Sequence, residues 1–115
     1  MIRIITLALC LSFASISFVM ASNEKYFIAG LGAASCGAWI ESRKDEDLQV
    51  NVVLGSWVQG FLSGLNVIAM ESKREISMIP DPDTLLAYVD KGCEDDPLTS
   101  VYKITNMLHG QLQQF

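Results

Sequence analysis

Few side chains in this chain could do chemistry. It has one histidine, three cysteines, and thirteen acidic residues, eight of them clustered at 45–47, 81–83 and 94–96. A histidine acting as a base needs a nucleophile within hydrogen-bond reach and a third group to orient it. His109 follows Leu108 in an amphipathic stretch near the C-terminus, where a lone histidine is structural or exposed. Neither a Gly-x-Ser-x-Gly elbow nor a phosphate-binding loop occurs. Asp81 with Asp83, or Glu94, Asp95 and Asp96, could ligate calcium. However, Asp81-Pro-Asp-Thr-Leu-Leu lacks the later oxygen ligands and the turn glycine of an EF-hand loop. Helix caps account for these acids with fewer assumptions. No catalytic residue, cofactor or metal ligand is assigned, and function is expected to lie in a surface presented to another protein.

Cysteine arithmetic depends on the N-terminus. Met1-Ile-Arg3 is a short positive start, residues 4–19 are apolar, and Val19-Met-Ala21 places small residues where a signal peptidase cuts. The expectation is a signal peptide over 1–21, cleaved near Ala21, and one exported domain over 22–115. Two rival readings are an uncleaved anchor, the only membrane contact expected, and lipidation of Cys10. Leu9 is too large and the position too early for the second. Cleavage removes Cys10, so Cys36 and Cys93 form an even pair in an oxidising compartment, with one intramolecular connectivity. Losing Arg3 leaves seven Lys/Arg, one fewer than the eight of the whole chain, against thirteen Asp/Glu, a formal charge of −6. Such a surface excludes nucleic acid, whose affinity comes from basic phosphate contacts. It suits a basic protein surface, or simply solubility.

The elements that position these residues read as an all-α domain of four helices around a central glycine-containing helix. On a helical wheel Leu54, Trp57, Val58, Phe61, Leu62, Leu65, Ile68 and Ala69 fill one apolar arc. Ser56, Gly60, Ser63 and Gly64 form a stripe of little bulk beside it, and Gln59, Asn66 and Gly55 face outward. Interior glycines cost a helix about 1 kcal/mol each relative to alanine. Close approach of a neighbouring helix to that stripe is the expected compensation, which puts Gly60 and Gly64 with Trp39, Trp57 and Phe61 in the structural core. Ser56-x-x-x-Gly60-x-x-x-Gly64 also reads as a membrane dimerisation motif. The charges at 44–47 and 71–75, with Gln59 and Asn66 inside, favour a soluble buried helix instead.

Around the central helix, Ser35 is expected to cap a first helix over 36–44, and residues 45–47 to open the central one. Asp83 is expected to cap a third helix over 84–91 that stops at Gly92. Asp96 and Pro97 are expected to begin a fourth, carrying Leu98, Val101, Ile104, Met107/Leu108 and Leu112 on one stripe. Gln59, Asn66 and the 72–81 loop, represented by Ser72, Lys73, Arg74, Ile79 and Asp81, are the candidate partner contacts.

Four segments together carry a resemblance. They are Ser35-Cys-Gly-Ala-Trp39, Trp57-Val-Gln-Gly-Phe-Leu-Ser-Gly64, the proline-opened run from Pro82 to Cys93, and Asp96-Pro-Leu98. They resemble the small periplasmic proteins grouped around the acid-stress chaperone HdeA and the Rap1a/Tai immunity proteins of type VI secretion, over about residues 35–112. The resemblance implies an exported four-helix domain with a Cys36–Cys93 bridge, and two alternative jobs. An immunity protein would dimerise and block a toxic peptidoglycan amidase. A chaperone of the HdeA kind would be a homodimer at neutral pH that loosens in acid and shields unfolded clients. The chain departs from the first pattern in having one disulfide and no recognisable inhibitory loop, the 72–81 segment being nearest by position. It departs from the second in having few lysines toward the C-terminus.

Overall fold

The computed structural model describes residues 28–115, and the signal-peptide assignment at 1–21 lies outside the described residues. The described chain is all-α and closed by one disulfide, with four helices: α1 (Cys36–Arg43), α2 (Leu48–Glu71), α3 (Pro82–Asp95) and α4 (Val101–Leu112). A 3-10 turn, Gly30–Ala33, precedes them.

Each helix starts on a side-chain acceptor. Ser35 Oγ accepts from the Ala38 N–H, Asp47 from those of Gln49 and Val50, Asp81 from that of Thr84, and Ser100 from that of Lys103. These oxygens replace the intrahelical partners that first-turn donors lack. Two starts differ from expectation. The cap of α3 is Asp81 and not Asp83, because Pro82 fits the first helical position, where no N–H is needed. The cap of α4 is Ser100 and not Asp96, so Pro97 lies in the preceding turn and Leu98 is exposed. A pair of strand-like hydrogen bonds sets that later start. Cys36 N–H donates to the Thr99 carbonyl and Val101 N–H to the Ala34 carbonyl, tying the beginnings of α1 and α4 together.

The core gathers Cys36 and Trp39 of α1, Leu54, Val58 and Leu62 of α2, Leu85, Leu86, Val89 and Cys93 of α3, and Val101, Ile104 and Leu108 of α4. α3 lies among the other three helices and packs against each. The disulfide joins α1 to α3 across a Cα–Cα distance of 4.8 Å and a sequence separation of 57 residues. α3 also runs through Gly92, where a stop was expected. A Cβ there would stand 2.6 Å from Ile104 Cγ2, so the missing side chain is what lets α4 cross. The glycine belongs to packing, not to termination.

α2 corrects the largest expectation. The stripe Ser56, Gly60, Ser63, Gly64 is exposed, and a Cβ at Gly60 or Gly64 would meet nothing within 4 Å. Neither glycine is core. The α3 contact falls on the side of Gly55, a residue expected to face outward. It is buried, and a Cβ there would stand 3.6 Å from Pro82 Cβ, an ordinary van der Waals contact. The α3 neighbour therefore sits on the 55/58/62 side, and the far edge of the apolar arc, including Ile68, is left uncovered. By length and composition α2 could cross a membrane, and only 28% of its most apolar 18 residues are buried.

Candidate partner-binding surface

The structure places the predicted site residues in three groups. Cys36 and Cys93 are bonded and fully buried, and Trp39 is buried with them. Trp39 Nε1 donates to Asp90 Oδ1 at 2.7 Å, and the same carboxylate accepts from Arg43 Nε and Nη2 at 2.9 and 2.8 Å. Arg43 Nη1 donates to Asn51 Oδ1, completing a lock between α1, α2 and α3. The Asp90 hydrogen bond raises the Arg43 pKa above its ordinary value, so this guanidinium stays charged at every accessible pH. Sequence reasoning missed this network. Asp90 reads as one more acid on an acidic helix, and nothing in its spacing announces two partners on α1.

Trp57 and Phe61 form the second group, half-buried rather than core. Their rings stack at 5.3 Å, and Tyr102 meets Phe61 edge-on at 5.7 Å. The Trp57 indole lies against Gly32 so closely that a side chain there would collide with it. The preceding 3-10 turn is thereby seated on α2.

The third group is the connection between α2 and α3. α2 ends in a Schellman arrangement built without glycine. Lys73 takes the left-handed conformation (φ 54°), its N–H donates to the Met70 carbonyl, and Arg74 N–H donates to the Ala69 carbonyl. Ser72 is the C-cap. Lys73 and Arg74 are exposed at this corner, and neither forms an ion pair among the described residues. From there the chain turns back beside α2 and is held by Asn66. The Asn66 amide donates to the Ser77 carbonyl and accepts the Ser77 N–H, both at 2.9 Å. Asn66 therefore is not a free contact residue. Its side chain copies a peptide group and fixes the loop.

The alternation that follows is strand-like. Ser77 and Ile79 turn inward, Ile79 onto the core, while Ile76 and Met78 are 62% and 88% exposed. Asp81 is occupied as the α3 cap. Gln59 is half-buried, and its carbonyl accepts from Ser63 Oγ. Of the eleven large apolar side chains exposed in the described chain, eight belong to α2 or this loop: Leu48, Val52, Val53, Val67, Ile68, Met70, Ile76 and Met78. Concentration on one helix and the connection that follows it, rather than exposure of scattered single residues, is what marks a candidate interaction region. The signal in the sequence was a helix apolar almost all round, wider than its neighbours could cover.

The remaining chemistry is sparse. The Nε2 atom of His109 is buried and makes no hydrogen bond among the described residues. A cleft of about 270 Å³ between α1 and α3 is lined by Ile40, Arg43, Lys44, Glu46, Asp90 and Glu94, with Arg43 already committed to Asp90. No family model, curated protein or solved structure matches this chain.

Proposed function

We propose that the protein is an exported, non-catalytic binding domain, an inhibitor or immunity-type module that engages one protein partner through the loop between α2 and α3. One observation carries the reading: Asn66 holds that loop in a fixed extended form while Ile76 and Met78 project from it. A segment already ordered before contact loses little conformational entropy on binding, so its apolar side chains contribute more of their burial to affinity. Lys73 and Arg74 at the loop's start add a cationic edge to an otherwise acidic protein. Export is supported by the leader-like residues 1–21 and by the Cys36–Cys93 bridge, which suits an oxidising compartment.

The test is capture from a periplasmic extract at pH 7 with the purified protein, repeated with Ile76→Asp and Met78→Glu. The expected result is one stoichiometric partner whose capture falls at least tenfold in either variant with the melting temperature unchanged. A partner retained equally by both variants sinks the loop as the contact. The exposed apolar side of α2 favours a second reading, an acid-stress chaperone of the HdeA kind. Many weak clients captured only at pH 3, where the acidic surface loses much of its negative charge, would replace the first reading with this one.

A further inference from the structure

The chain from Glu75 to Ile79 belongs to no helix, and it runs extended with a partner on one edge only. In an extended chain the N–H and carbonyl of one residue point to one edge, and those of the next residue to the other. Both main-chain groups of Ser77 are taken by the Asn66 side chain on α2. Those of Ile76 and Met78 therefore lie along the opposite edge. Among the described residues no hydrogen bond engages the N–H or the carbonyl of either residue. Their side chains share one exposed face, while Ser77 and Ile79 turn inward.

Two neighbours set the length of this open edge. Before it, Arg74 N–H is taken by the Ala69 carbonyl in the corner that ends α2. After it, Pro80 has no N–H, and Asp81 is committed to the start of α3. What remains is one N–H and one carbonyl each from Ile76 and Met78. An unpaired edge is a template for a strand of another chain. A helix or a folded apolar surface laid over Ile76 and Met78 would bury those backbone groups without satisfying them, which buried backbone does not tolerate.

We infer that the Ile76–Met78 edge is completed by an extended segment of the partner protein, which adds to it as a second, antiparallel strand. The inference rests on the loop being the contact, as proposed above, and says how that contact is made. Antiparallel pairing is the more stable per residue. The partner residues opposite Ile76 and Met78 exchange both main-chain hydrogen bonds with them and point to the same face, so both should be apolar or β-branched. The residue between them turns its own N–H away from the edge. Beyond the second apolar residue, the antiparallel segment runs toward Lys73 and Arg74, which form no ion pair among the described residues. Acids are preferred there, although Glu75 beside the two cations offsets part of their charge. The class of ligand is an extended peptide with two apolar residues at alternate positions, followed by acids.

The test uses the full chain expressed in an exporting host, with its N-terminus determined by mass spectrometry. The probe is the peptide Thr-Val-Thr-Val-Thr-Glu-Glu, acetylated and amidated at its ends. In the free protein the Ser77 amide hydrogen should exchange slowly, and those of Ile76 and Met78 fast. Peptide should slow exchange at Ile76 and Met78 at least tenfold. N-methylation of either valine should abolish binding, and N-methylation of the threonine between them should leave affinity within about twofold. Binding indifferent to valine N-methylation overturns the inference, as does unchanged exchange at Ile76 and Met78 with about 1 mM peptide. Slowing that grows with protein concentration in the absence of peptide gives the edge to a second copy and also overturns it. The loop reading is scored separately, by capture with Ile76→Asp and Met78→Glu. A partner lost in those variants, beside a peptide indifferent to N-methylation, would keep the loop as the contact and remove the strand.

Discussion

At the scale of single residues, the acids of this chain divide into those that hold something and those that only carry charge. Asp81 holds the start of α3. Donation from the Thr84 backbone N–H, and then from the Thr84 hydroxyl, keeps its carboxyl below the ordinary 3.8. A folded-state pKa lowered in this way means that the folded protein binds the proton less readily than the unfolded chain does. Asp81's contribution is therefore complete above pH 3.8 and is lost as pH falls through the folded value. Asp81→Asn keeps a capping oxygen but cannot titrate. A plot of melting temperature against pH between 2 and 6 should be flatter for Asp81→Asn than for wild type, and lower throughout for Asp81→Ala. An unchanged acid limb in Asp81→Asn would assign the acid sensitivity to other carboxylates. Asp90 shows the limit of reading residues singly. Its importance comes from Trp39 and Arg43, which folding brings to it from α1, Arg43 reaching on to Asn51 of α2.

At the scale of elements, glycines that look alike in the sequence do opposite things. Gly92 sits inside a continuous helix without a side chain because Ile104 occupies the space one would need. Gly92→Ala should destabilise the domain by about 1–3 kcal/mol, the usual cost of overpacking. Gly60 has open space around it, so Gly60→Ala should stabilise the domain by about 0.5–1 kcal/mol through helix propensity. Denaturant titrations of the two variants should shift in opposite directions. The sequence showed the helices clearly because apolar spacing and capping side chains are local. Ser35 caps α1 as expected, while the 45–47 run, expected to supply both the cap and first-turn acids of α2, supplies the cap alone, Asp47, with no acid in the first turn. α1 and α2 were legible nearly to the residue. What could not be read was which side of α2 meets a neighbour, since the apolar arc and the small stripe adjoin and either could receive a helix. The starts of α3 and α4 slipped because both lie beside a proline with two acceptors near it. The candidate loop was legible as a position between helices. Its form was not, because Asn66 and Ser77 are eleven residues apart and only the fold pairs them.

At the scale of the whole molecule, a small acidic domain has a narrow margin of stability, and the bridge supplies much of it. On the chain-entropy account, closing a loop of 57 residues contributes about 4 kcal/mol, against the roughly 5–15 kcal/mol total of a typical domain. Cys36→Ala/Cys93→Ala should move the denaturant midpoint down by a corresponding amount, and a shift under about 1 kcal/mol would contradict that account. The position of the bridge has a further consequence. In covalent terms the domain is a ring with a tail. The ring contains α1, α2 and α3 up to Cys93, and the tail carries α4, which is joined to the rest by its buried stripe, by Tyr102 against Phe61 and by the paired backbone between Ser35 and Ser100. Opening of the tail would leave the ring uncut, so hydrogen exchange should show α4 amides opening ahead of those of α1–α3. Both α2 surfaces, the loop and the outward face, belong to the ring, inside its covalent closure.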